Sequence, residues 1–280
     1  MDGVRLKYYN KKIQQLKELL ANCSDLEQVS ILHEIIDDTP YKTKNYMKYM
    51  HKGYYIKHNK EELIDNSLKQ IKLQVNDFPS KNIVEIIKNR YSVRDYENRE
   101  VSFEAFSQII HYSFGVKHVA EGVYDRKSYL FKYTNSQGGL NYLDLYIIVN
   151  NVEGVEQGLY YYDFIGNKIC QIDNGNMRGI IKEIHFQNEF TAYSSFLCIV
   201  VADLRRVVPK YYKRAYRFAH VDAGILLAYL QLLAENNGIS SCIVAGFLEH
   251  KIETLLNLSK DEYPIATIGF GYKSRSFNVV

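Results

Sequence analysis

Between residues 219 and 236 the chain carries Ala223, Leu226, Leu227, Leu230 and Leu233 at helical spacing, with Gly238 just beyond. The stripe predicts one long helix that needs a broad apolar partner, and the glycine supplies the left-handed stop such a helix wants. The partner is written in two continuous apolar runs, 143–149 and 196–202, which read as strands buried on both faces. The regions of Tyr160 and Ile169, separated by Asp163 to Asn167, read as a hairpin. A strand at 242–245, a helix at 251–256 and a strand at 265–270 follow. Upstream, a helix at 102–115 would bury Phe103, Phe106, Ile109 and Ile110, and Ser80 would cap another that carries Ile83, Ile86 and Ile87. This order is α+β rather than a strict strand–helix alternation.

At 280 residues the chain can hold one large domain with a small addition. The main domain is expected over 81–280, and 1–80 forms an N-terminal extension. It opens with an amphipathic helix around 10–22, carrying Ile13, Leu16, Leu19 and Leu20. Residues 41–60 hold six Lys, five Tyr, two His and no acid. That composition suits an anionic or peptide partner, or equally a solvated lysine face whose tyrosines pack inward. Overall, 35 basic against 32 acidic residues leave a net charge of +3, too balanced for a nucleic-acid-binding surface across the whole protein. The polar start, MDGVRLKYYNKK, lacks the apolar stretch of a signal peptide, and no later run reads as a membrane span, so a cytoplasmic protein is expected. Cys23, Cys170, Cys198 and Cys242 are scattered, with no pairing that suggests a zinc site or a disulfide framework.

Four segments carry chemistry. In Arg90-Tyr91-Ser92-Val93-Arg94, an extended backbone would put Arg90, Ser92 and Arg94 on one side, where two guanidiniums and a hydroxyl suit a phosphate. A basic triplet after a helix also satisfies the helix C-terminus. In Asn135-Ser136-Gln137-Gly138-Gly139-Leu140, paired glycines let backbone approach a flat ligand, though a plain turn explains them nearly as well. Ile243-Val244-Ala245-Gly246-Phe247 is a strand end with a glycine, where exposed N–H groups could stabilise charge or simply make a turn. The stretch 205–218 is rich in Arg and Lys and without acids, which generically reads as an anion-binding loop.

Taken together, these segments resemble the nitroreductase superfamily, over about residues 82–272. The pentad at 90–94 resembles the family's opening RxSxR signature, and Val221-Asp222-Ala223-Gly224 its DAG helix, a marker of fold more than of chemistry. Arg214-Ala215-Tyr216-Arg217-Phe218, preceded by Lys210-Tyr211, resembles the KYxxRxYRF block of the SagB-type azoline dehydrogenases, and 135–140 resembles their PSxGG loop with Asn135 in place of proline. The resemblance implies a nitroreductase-like fold, a central mixed sheet flanked by helices. It also implies FMN as cofactor, held at the phosphate by Arg90, Ser92 and Arg94 with Lys273 and Arg275 after the last strand. The ring would lie at Ser136 and Gly138 and meet the backbone of Ala245 and Gly246.

By the same resemblance Lys210 and Tyr211 are the catalytic pair. Azoline oxidation removes a hydride and a proton, so it needs a flavin and a base. Lys210 could be that base with its pKa pushed down by Lys213, Arg214 and Arg217. Alternatively, Lys210 and Tyr211 merely begin a basic helix. The partners implied are a precursor peptide, a cyclodehydratase complex and a second copy of the chain, with no metal, nucleic acid or membrane. Two other functions stay open: an NAD(P)H-dependent reductase of small molecules, and a flavinless scaffold of a peptide-modifying complex.

Overall fold

The protein is described by a computed structural model covering residues 3–37, 60–76, 81–121 and 129–274. The helices are α1 (Gly3–Leu20), α2 (Asp25–Asp37), α3 (Glu61–Asp65), α4 (Ile83–Asn89), α5 (Phe103–Phe114), α6 (Arg178–Ile184), α7 (Val208–Tyr211), α8 (Ala215–Asn236) and α9 (Glu249–Leu255). The strands are β1 (Lys69–Lys72), β2 (Val116–Ala120), β3 (Tyr129–Lys132), β4 (Leu143–Val149), β5 (Gly158–Asp163), β6 (Lys168–Asn174), β7 (Phe196–Asp203), β8 (Ser240–Val244) and β9 (Glu262–Gly271).

Seven strands form one sheet in the order β1-β6-β5-β4-β7-β9-β8, while β2 and β3 make a separate hairpin. Every strand pair in the large sheet is antiparallel, where a mixed sheet was expected; among the described residues parallel pairing is confined to isolated bridges, Ser92 with Ser241 and Val101 with Val152. The reason is topological. β5 and β6 are joined by a tight turn, which returns the chain antiparallel, and the longer connections, such as the helical one between β8 and β9, return it antiparallel as well.

Burial follows the period of two that strands impose. Leu145, Ile147, Val149, Cys198 and Val200 face a core completed by Phe106, Ile109 and Ile110 of α5 and Ala223, Leu226 and Leu230 of α8. Tyr146, Ile148, Leu197 and Ile199 face the opposite layer, Ile181 and Ile184 of α6 and Ile252 of α9. The central strands are covered on both faces, which is why they read as unbroken apolar runs. Cys170, Cys198 and Cys242 are buried thiols, and burial pushes that of Cys170 up to about 11.

Several expectations change. Ser80 and the basic, tyrosine-rich residues 41–59 lie outside the described residues; α4 is capped by Asn82, whose side chain accepts from Val84 N at 2.9 Å. Of its isoleucines Ile86 is buried, while Ile83 and Ile87 are exposed. On α1, Ile13, Leu16 and Leu19 are likewise exposed. The stretch Val208–Asn236 does reach the length and hydropathy of a membrane span, which the sequence reading missed. Its apolar residues Ala219, Ala223, Leu226 and Leu230 are packed inside the fold.

Candidate functional site

After α4 the backbone turns extended at Arg90 (φ −70°, ψ 124°) and runs along the outer strand of the sheet, Ser92 bridging to Ser241 and Val93 N donating to Ser241 O at 3.2 Å. Val93 is buried, whereas Ser92 and Arg94 are exposed, as alternation requires. The chain returns beside it after β9: Tyr96 bridges to Lys273, and Ser274 N donates to Asp95 O at 3.0 Å. Arg90, Lys273 and Lys81 all bear on the Glu235 carboxyl near the end of α8, opposing the burial that raises it. A cavity of 420 Å³ opens here, lined by Tyr91, Val93, Arg99, Glu235, Tyr272 and Lys273. Among the described residues none of Arg90, Arg94 and Lys273 forms a salt bridge, so their donors fit a phosphate. Arg275 lies outside the described residues.

The glycine loop is built by hydrogen bonds from both sides. Ser136 Oγ accepts from Asn141 N at 2.9 Å, and Gln137 N donates to Asp222 Oδ2 of α8 at 2.7 Å. Gly138 and Gly139 sit at φ 63° and 61°, where a side chain is strained. Space is restricted too: a Cβ on Gly138 would press on the Tyr211 hydroxyl and lie 2.6 Å from Lys210 Nζ. The loop and the Lys210–Tyr211 pair, some seventy positions apart in the chain, therefore meet at one point. A 360 Å³ cavity adjoins the glycine loop, lined by Tyr129, Phe131, Lys132, Ser136, Gly138 and Asn141.

The pair is held by its own flanks. Pro209 lies in the first turn of α7, Lys210 N and Tyr211 N both donate to Val207 O, and the Tyr211 ring packs edge-on against Phe218 at 5.0 Å. The next residue, Tyr212, takes φ 54° and ψ −141°, a conformation costly for a bulky side chain. The stretch is less of an anion surface than its composition suggests. Arg206 is buried, ion-paired with Asp144 and Asp203, and donates to Asn141 O at 2.7 Å, while Arg205 pairs with Asp203 at 2.7 Å. Arg206 thus ties the glycine loop to the start of the Lys210 turn.

Ala245 and Gly246 follow β8 and are exposed, and a Cβ on Gly246 would meet nothing within 4 Å. The clamp bridges β8 at Ser241 and the turn begins at Ala245, about 13 Å apart at 3.3 Å per residue. One strand therefore offers phosphate donors at one end and open backbone at the other, which fits an elongated ligand with a phosphate and a flat ring. Sequence reasoning passed over Lys132, Tyr142, Arg206 and the chemistry of Asp222. An acid inside an apolar helical stripe was the available signal for Asp222.

The chain is similar to a Methanocaldococcus jannaschii protein named for the nitroreductases, MJ1384, with 25% identity over 203 residues, 72% of this chain and 97% of that protein. A nitroreductase-type structure from Anabaena variabilis superposes with a TM-score of 0.62 at 21% identity, covering 74% of this chain; the match spans only 42% of that longer chain. The Escherichia coli microcin synthetase complex McbBCD, with truncated pro-MccB17 bound, contains a chain that superposes with a TM-score of 0.56 at 13% identity, covering 92% of this chain and 97% of that one. The nitroreductase family model matches residues 87–272, and the chain belongs to this family of flavin-dependent oxidoreductases, whose members typically bind FMN.

Proposed function

We propose that the protein is an FMN-dependent dehydrogenase that oxidises azoline rings, thiazoline or oxazoline, to azoles in a ribosomally made peptide. The observation that carries this reading is the packing of Lys210 Nζ and the Tyr211 hydroxyl against Gly138. It sets a basic and a hydroxylic group against the loop expected to lie at the ring, where removal of a proton would be needed. The fold of the McbBCD chain, from a complex with a pro-peptide bound, supports a peptide substrate and partner subunits. Exposed Ile83, Val84 and Ile87 on α4 suit a second copy of the chain. Residues 1–80, apart from β1 and Leu73, which belong to the main sheet and its core, are proposed as the extension that contacts peptide or partner.

FMN would be held by Arg90, Ser92, Arg94, Lys273 and Arg275 at its phosphate and by Ser136, Gly138, Ala245 and Gly246 around its ring, and when bound supplies the acceptor for a hydride. Lys210 Nζ takes the proton from the ring carbon, and Tyr211 holds the ring heteroatom or passes the proton on. The protein reconstituted with FMN should lower the mass of an azoline peptide by a pair of hydrogens per ring. Lys210→Ala should keep FMN and lose this oxidation; unimpaired oxidation would remove Lys210 as the base. Rapid bleaching of the flavin by NADPH without azoline oxidation would favour the small-molecule reductase instead.

A further inference from the structure

A lysine is buried where the N-terminal extension runs into the sheet. Lys60, just ahead of α3, is 8% exposed, and its ammonium meets Oε1 of Glu262, the first residue of β9, at 2.5 Å. Buried lysines are rare and need partners, and α3 is already seated on the core by Leu63 and Ile64, so packing alone leaves this charge unexplained. Burial works against the ammonium, and the carboxylates of Asp144 and Glu262 hold its proton above the ordinary lysine range.

What Glu262 touches next supplies a reason. Its other oxygen, Oε2, accepts from Ser259 N at 3.1 Å and lies 3.4 Å from Arg205 Nη2. Arg205 is committed to Asp203, with Nε and Nη2 donating at 2.7 and 2.8 Å. Arg205 belongs to the turn Leu204–Arg206, and Val207, which follows, supplies the carbonyl that accepts from Lys210 N and Tyr211 N. A continuous run of contacts thus leads from Lys60 to the backbone of the Lys210–Tyr211 pair.

Resting on the reading of Lys210 and Tyr211 as the catalytic pair, we propose that Lys60 is a positioning residue for that pair, acting through the charge of Glu262 on Arg205. Lys60 itself touches no reacting atom. Its ammonium neutralises Glu262, which leaves Arg205 to Asp203. Without it the buried carboxylate keeps Arg205 as its only ion-pair partner among the described residues and draws it off Asp203. Beyond the pair, α2 packs on Tyr212–Arg214, so a shift at Arg205 is taken up at Lys210 and Tyr211 themselves.

Lys60→Met in the full chain removes the charge and keeps most of the stem, Lys60→Arg keeps the charge, and Lys60→Met combined with Glu262→Gln removes the pull on Arg205 as well. Two measurements decide. Hydrogen–deuterium exchange followed by mass spectrometry, with neither FMN nor substrate present, should show residues 204–211 exchanging faster in Lys60→Met and at the wild-type rate in the other two variants. With FMN and an azoline peptide, Lys60→Met should lower kcat by roughly tenfold to a hundredfold with KM and FMN affinity unchanged, and the other two variants should restore it. Wild-type exchange over 204–211 or a wild-type kcat in Lys60→Met would overturn the inference, as would a defect that Glu262→Gln does not reverse, since that marks lost packing rather than an unbalanced charge. Should Lys60→Met fail to fold, a folded double variant supports the inference and an unfolded one overturns it. If the wild type fails on azoline peptides, the functional reading falls by itself, and the exchange measurement still decides whether Lys60 sets the turn.

Discussion

Gly138 is a residue whose smallness the site uses twice, once for its left-handed backbone and once for the room it leaves to Lys210 and Tyr211. Gly138→Ala should fold with a loss of about 1–2 kcal/mol from the backbone term, while displacing the lysine and tyrosine ends. Turnover should therefore fall further than the melting temperature implies, which kinetics and thermal melts on one preparation will show. Lys132 makes a different demand. Its ammonium lies 2.8 Å from the centre of the Phe114 ring and 4.1 Å from that of Phe164. Burial holds its pKa well below the ordinary 10.5, with Arg206 adding to that effect and Asp144 opposing it. The unfolded chain binds this proton more readily than the folded one, so the group costs stability at neutral pH, and the cost fades as pH rises toward 10.5. Lys132→Met should raise Tm at neutral pH, by an amount that shrinks in alkaline buffer; a gain independent of pH would point to packing alone.

At the level of elements, caps and cores were readable because they are local. Ser102 and Gly115 announce α5, and the structure gives the Ser102 side chain accepting from Ala105 N at 3.3 Å. The strand at 143–149 was read to the residue, since its apolar run is unbroken but for Asp144. Asn82 was missed as a cap because Ser80, two residues earlier, competes for the role; Asn82→Ala should cost about 1 kcal/mol in denaturant melts. The start of α8 at Ala215 rather than Ala219 was hidden by Tyr216 and Arg217, which are not buried. β1, Lys-Gln-Ile-Lys, has no sequence signal at all, because it exists through pairing with β6. The clamp and the glycine loop were legible as motifs, yet nothing local shows that Lys210 reaches Gly138. That meeting depends on Arg206, whose ion pairs reach Asp144 on β4 and Asp203 on β7. Arg206→Ala should destabilise the fold by about 3–5 kcal/mol, since it strips the buried Asp144 carboxylate of its cation while Asp203 keeps Arg205.

For the whole molecule, the N-terminal helices present aliphatic side chains outward: Leu16 and Leu19 on α1, and Leu26, Val29 and Leu32 on α2. Removing residues 1–59, which spares β1 and the buried Lys60–Glu262 ion pair, should leave the melting transition of the main domain in place and weaken binding to a precursor peptide, measurable by fluorescence anisotropy; unchanged affinity would take the extension out of peptide recognition. The sheet has a further consequence. Its order puts β1 and β8 at the two edges, and an edge strand offers unpaired backbone to any passing strand. β1 is short and carries exposed Lys69 and Lys72. β8 is met by the segment that carries Arg90, Ser92 and Arg94. The backbone of the segment proposed to carry the phosphate donors thus also occupies pairing positions on that edge, so the stretch that would bind a ligand doubles as a guard against self-association.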